Sequence, residues 1–126
     1  MLKQGYSYII AIALLFIFSN CQPQNPIAKK INEAEMEELM KNPELQIIDV
    51  RTPQETQQGV INGALEINFH DKSFKEQISK LDKSKPTVVY CASGGRSASA
   101  MDIFVSEGFT EVYDLTGGYR KWSKTH

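Results

Sequence analysis

The sequence predicts an α/β fold, with a central, mostly parallel sheet and helices on both faces. Three observations carry that expectation. Short β-branched runs, "LQIIDV" (45–50), "TVVYC" (87–91) and "EVYDL" (111–115), alternate with stretches of helical character. The run 87–91 is almost wholly apolar, as a strand buried on both faces must be. Helix-capping signals, "TPQE" (52–55) and "SFKE" (73–76), fall between the strand candidates.

Each element has its local reason. Asn32 caps a first helix whose apolar positions Met36, Leu39 and Met40 fall at i, i+3 and i+4. The strand 45–50 runs into Asp49, and Thr52, Pro53 and Glu55 then start a short helical turn, with proline at its first position. "GALEINF" (63–69) reads as a second strand, and Ser73 and Glu76 as a second capping box. After strand 87–91, a helix from Ser97 ends near Gly108, which fits a C-terminal glycine cap. Strand 111–115 follows, and residues 119–122 form a short closing helix.

The first twenty residues differ from the rest. A basic start at Lys3 precedes the apolar run Ile9 to Phe18, which is too short for a membrane-spanning helix of about 20 residues. Such a pattern describes an export signal over residues 1–20. Cys21 stands where a bacterial lipoprotein carries its lipidated cysteine, and "FSNC" resembles a lipobox, with Asn20 and Phe18 departing from the usual residues. Residues 21–30, "CQPQNPIAKK", then read as the lipidated cysteine and a flexible tether, and 31–126 as one domain. The expected place is the bacterial cell envelope, lipid-anchored, with the domain in the periplasm or exported.

Composition narrows the function. The chain has 126 residues and a net charge of −1; losing Lys3 with the leader leaves 13 Lys and Arg against 15 Asp and Glu, or −2. No basic block is present, so nucleic-acid binding has no electrostatic support. The domain is long enough to bury a core without disulfides or metals, and a monomer is expected.

The chemistry centres on Cys91. In an open α/β sheet, reactive groups gather at the carboxyl ends of strands, beside helix starts. Cys91 sits at such an end, followed by Ala92, Ser93, Gly94, Gly95, Arg96 and Ser97. The two glycines let the peptide N–H groups curl toward an anion, and the following helix adds its positive end. Arg96 adds a full charge and is expected to hold an anionic donor, the alternative being a structural pair with a surface carboxylate. These features favour a thiolate, the reactive form, over the alternative of an inert buried thiol.

These residues resemble the active-site loop of rhodanese-type sulfurtransferases: Cys, two residues, Gly, one residue, Arg, then Ser or Thr. "IIDVRTPQE" resembles that family's first strand and turn, "GVINGALEIN" its second strand, and "LTGGYRKW" its C-terminal glycine pair and tryptophan. The resemblance covers about residues 31 to 124, with the motifs in the family's order. Val60 and Asn62 replace the family's usual His and Pro, which implies a changed loop shape there. Ala92 stands where thiosulfate-using members often carry a basic residue.

The resemblance implies a rhodanese-like fold and sulfur transfer in two halves. Thiolate Cys91 attacks a sulfane donor such as thiosulfate, the inner group leaves, and a thiol acceptor takes the sulfur from the Cys91 persulfide. No metal or organic cofactor is needed. Two rival readings stand beside it. Cysteine-dependent phosphatases and arsenate reductases share the thiolate-at-helix arrangement, but place five residues between Cys and Arg, where this chain has four. The other rival is a non-catalytic envelope module that uses the fold for protein binding. Asp49 and Arg51 resemble the family's Asp-Val-Arg and read as supporting residues, or as a structural ion pair of Arg51 with Glu55 or another acid. His70 reads as an exposed loop residue, and neither it nor His126 is given a catalytic role. Tyr119 and Trp122 read as packing residues.

Overall fold

The computed structural model describes residues 25–126. The export signal, Cys21 and residues 22–24 of the expected tether lie outside the described residues. Ten elements alternate along the chain: β1 (Ile27–Ile31), α1 (Glu33–Leu39), β2 (Gln46–Asp49), α2 (Pro53–Thr56), β3 (Leu65–Glu66), α3 (Phe74–Ser79), β4 (Thr87–Tyr90), α4 (Gly95–Ser106), β5 (Glu111–Leu115) and α5 (Gly118–Trp122). The five strands form one sheet in the order β1-β5-β4-β2-β3, and every pairing is parallel. Among the described residues, no helix is long and apolar enough to cross a membrane.

Strand β1 corrects the sequence reading. The stretch read as tether through residue 30 pairs with β5 along Ile27 to Ile31. Its first four residues are exposed and only Ile31 is buried, so it carries no apolar alternation. Lys29 and Lys30 are typical of a sheet edge, where charge discourages pairing with another chain. A strand held by backbone hydrogen bonds at an edge leaves little pattern in its side chains.

Two separate cores cover the two faces, because alternate residues of a strand point opposite ways. On one face Ile48, Val89 and Val112 pack with Phe74, Ile78, Ala100 and Phe104 from α3 and α4. On the other, Ile47, Val88, Tyr90, Tyr113 and Leu115 pack with Met36 and Trp122 from α1 and α5. All four residues of β4 are buried, as expected of the middle strand.

Local signals mostly operate as the sequence implies. Asn32 and Thr52 both form complete capping boxes, with Glu35 and Glu55, and Pro53 opens α2. Gly108 ends α4 with φ +97°. Two expectations change. Strand 63–69 shrinks to Leu65–Glu66, although Ile67 and Phe69 still donate to the carbonyls of Asp49 and Val50. Ser73 forms no capping bond. Asp71 Oδ1 instead accepts both its N–H and its hydroxyl at 2.9 Å, a local turn that competes with the cap.

Helix α4 presents Ser97, Ala100 and Phe104 inward, at i, i+3 and i+7. Phe104 meets Phe109 and Phe74 edge-on, with centroids 4.7 and 6.1 Å away, and so fixes the helix that begins beside Cys91. Phe104→Ala should lower unfolding free energy by about 3–5 kcal/mol, read from urea denaturation.

Candidate active site

Cys91 follows β4 directly, and its side chain enters the core face covered by α4. The loop to α4 is short, and Gly94 takes φ +122°, a conformation that favours glycine. A Cβ built on Gly94 or Gly95 would meet nothing within 4 Å, so the outer side of the loop is open. The inner side is not. Cys91 is only 1% exposed.

The sulfur is surrounded by donors. The Gly94 N–H donates to Sγ at 3.1 Å, and the thiol itself donates to Ser97 Oγ at 3.4 Å. Burial pushes the Cys91 thiol up, but hydrogen bonds from Ser97, Gly94 and Ser93 outweigh it and leave the thiol below its ordinary value. The twelve-residue α4 starts at Gly95 and directs its positive end at the same place. Ala92 is half-buried and Ser93 exposed, so the loop residues contribute backbone more than side chains.

Helix α5 holds the other side of the loop. Tyr119 N–H donates to the Cys91 carbonyl at 2.8 Å, and Arg120 N–H to that of Ala92 at 3.0 Å. Gly118, at φ +56°, lies so close that a Cβ would collide with the Cys91 carbonyl oxygen. The second glycine of "LTGGYRKW", Gly118, is therefore a contact surface for the cysteine's backbone. Trp122 packs in the core as expected, and Tyr119 packs beside it against Tyr90.

Of the alternatives open for Arg51, the ion pair is present, with an acid other than Glu55. Arg51 pairs with Asp49, not Glu55: Nη2 reaches Oδ2 at 2.7 Å, and Nε lies 3.0 Å from both carboxylate oxygens. Both residues are buried. Arg51 also donates to the Gly59 carbonyl at 2.7 Å and lies 4.0 Å from the Tyr119 ring centroid. Arg51 thus contacts Tyr119, while the hydrogen bonds of the pair go to each other and to Gly59. Losing one partner would leave a buried charge uncompensated.

Arg96 is also ion-paired. Its Nη1 and Nη2 bind the two oxygens of Glu55 at 2.8 and 2.7 Å. The free guanidinium expected to hold a donor anion is engaged by a carboxylate on α2. The sequence hid this because the partners lie 41 residues apart. Val60 and Asn62 are exposed on a loop anchored by Ile61, whose N–H donates to Tyr90 Oη at 3.0 Å. His70 is exposed, as the sequence implies.

Asp114 was missed. It is 1% exposed, on β5, and accepts a hydrogen bond from Ser97 Oγ at 2.6 Å. A charged residue inside the apolar run "EVYDL" was the available signal.

A Rhodanese-like domain model matches residues 32–125. The chain belongs to the rhodanese family. It is 37% identical over 98 residues to a thiosulfate sulfurtransferase GlpE of Coxiella burnetii, covering 78% of this chain and 90% of that one. A Pseudomonas putida protein of the same name is 35% identical, with 78% and 87% covered. Among solved structures, a rhodanese-related protein from Thermoplasma volcanium superimposes with a TM-score of 0.67 at 30% identity, covering 76% and 91%. The human single-domain sulfurtransferase TSTD1 gives 0.65 at 25% identity, covering 77% and 96%. The five-stranded parallel sheet found here thus matches the fold of rhodanese-like neighbours.

The Glu55–Arg96 pair generates a pH prediction. Hydrogen bonding from Arg96, aided by Thr52, lowers the Glu55 carboxyl from 4.5 to about 2. A depressed carboxyl contributes stability above its unfolded value, and that contribution is lost as pH falls through the folded value. Glu55→Gln should therefore remove part of the stability loss seen in the parent between about pH 4.5 and about pH 2, measured by denaturation at stepped pH.

Proposed function

We propose that this rhodanese-type enzyme transfers a sulfane sulfur from an anionic donor such as thiosulfate to a thiol acceptor through a Cys91 persulfide. The observation that carries the reading is the Gly94 N–H directed at Cys91 Sγ at 3.1 Å, at the start of α4. The names of the GlpE relatives support the sulfurtransferase class.

In the first half-reaction the Cys91 thiolate attacks the outer sulfur of the donor. The sulfur–sulfur bond of the donor breaks, and its electron pair leaves with the inner group, sulfite in the case of thiosulfate. The persulfide then carries the negative charge on its terminal sulfur. Loop N–H groups receive it, since Ser93 and Gly94 already donate toward Sγ. In the second half-reaction an acceptor thiol attacks that terminal sulfur, and Cys91 departs as thiolate. Four residues between Cys91 and Arg96 make a cradle smaller than that of a phosphatase loop. That size favours sulfur over a tetrahedral oxyanion.

Donor binding rests first on these amides, because Arg96 enters as half of a neutral pair. We further propose that the domain is tethered to a bacterial envelope membrane through a lipid on Cys21, with residues 1–20 removed as a signal.

Incubated with thiosulfate, the parent should gain the mass of one sulfur atom and lose it on addition of thiol. Cys91→Ser should do neither; sulfur loading that survives this change would overturn the mechanism. In the same series, Arg96→Ala alone leaves the Glu55 carboxylate facing the donor. The double variant Arg96→Ala with Glu55→Gln removes the pair as a unit and should keep thiosulfate kcat/KM within about fivefold of the parent, the equivalent of about 1 kcal/mol. A loss well beyond tenfold would show Arg96 gripping the donor.

The expressed full chain should begin at a lipid-modified Cys21 by mass spectrometry and sediment with membranes. Cys21→Ala should release it to the soluble fraction.

A further inference from the structure

We propose that Asp114 is a positioning residue that takes the Cys91 proton through the Ser97 hydroxyl. The inference rests on Cys91 as the nucleophile and adds a residue to its activation. Three side chains form a line inside the protein. Cys91 Sγ lies 3.4 Å from Ser97 Oγ, which donates to Asp114 Oδ1 at 2.6 Å. Cys91, Ser97 and Asp114 are each 1% exposed or less. Ser97 Oγ has a second acceptor in range, the Gly94 carbonyl, at a longer 3.3 Å.

A serine hydroxyl has one proton to give and lone pairs to receive another. In the resting arrangement the thiol donates to Ser97 and Ser97 donates to Asp114. Activation shifts both protons one place along the line. The S–H bond breaks as Ser97 Oγ gains that proton, and Ser97 passes its own proton to Asp114 Oδ1. The product is a thiolate beside a hydroxyl donor, with a neutral carboxylic acid behind it. Proton number and total charge are unchanged, and no external base is used.

The surroundings favour moving the charge this way. Among the described residues Asp114 enters no ion pair, and burial pushes its carboxyl up. The cation bearing on it is Lys30, its register neighbour on β1, which attracts it only weakly. From the end of β4 it faces Cys91 through Ser97; on α4, Arg96 is held by Glu55. A negative charge on Asp114 therefore has one strong donor, whereas a charge on Cys91 has Gly94, Ser93 and Ser97 together with the α4 terminus.

The test is the pH dependence of Cys91 alkylation by iodoacetamide in the full chain, followed by mass spectrometry of the Cys91 peptide. An internal transfer keeps a fixed thiolate fraction as long as the line loses or gains no proton to solvent. The parent rate should therefore level to a plateau on the acid side of neutrality. Asp114→Asn and Ser97→Ala should abolish the plateau, their rates falling about tenfold per pH unit. Ser97→Thr, which keeps the hydroxyl, should restore it. The proposal is overturned if Asp114→Asn reacts as fast as the parent or faster across the range, the result expected when the carboxylate merely repels a nearby thiolate. It is also overturned if the parent shows no plateau, an outcome that needs no folded variant. Persulfide loading is scored separately by mass: a plateau without sulfur loading keeps the relay and rejects the sulfurtransferase reading.

Discussion

The docking of α5 against the backbone of Cys91 and Ala92 is the constraint on which the rest of the site depends. Both carbonyls are turned toward the helix, where they accept from the N–H groups of Tyr119 and Arg120. A trans peptide directs its N–H opposite to its carbonyl. Holding the Ala92 carbonyl against α5 therefore directs the Ser93 N–H away from it, toward the α4 face where the sulfur lies. One set of backbone hydrogen bonds on one face of the sheet thus orients the donors on the other. Gly118 makes the approach possible because it has no Cβ to strike the Cys91 carbonyl.

The charges are arranged so that the thiol depends on dipoles rather than on a free cation. Asp49 and Arg51 neutralise each other in the interior, and Arg51 braces Tyr119, the same residue whose N–H holds the Cys91 carbonyl. Glu55 and Arg96 neutralise each other at the rim. Fixed N–H groups and the start of α4 remain to hold negative charge at sulfur. Such groups are already oriented when charge arrives and need no rearrangement. The lowered thiol of Cys91, despite near-complete burial, is what this arrangement produces.

Elements whose side chains face a core were legible, and those held by backbone alone were not. The buried strands β2, β4 and β5 stand out as apolar runs, and α1, α2 and α4 carry caps or terminating glycines that act within a few residues. Strand β1 exposes four of its five residues and lacks the alternation that marks a half-buried strand, whereas β3, at the opposite edge, was legible as a strand over 63–69 and is shorter, Leu65–Glu66. The false cap at Ser73 shows the reverse problem: a correct local motif was outcompeted by Asp71, two residues away.

For the site, the sequence by itself determined the candidate cysteine, its loop and its place at a strand end. Those depend on residue type and short spacing: a cysteine, glycines able to turn, and a helix beginning next. Only the tertiary structure decided the partners. Arg96 could have met a donor or a carboxylate, and it meets Glu55 because β2 and β4 are neighbours in the sheet, which brings α2 beside the loop. Asp114 reaches Ser97 because β5 lies on the other side of β4. Strand order is set by how the whole chain closes over two cores. No local pattern encodes which charges that closure brings within hydrogen-bonding distance.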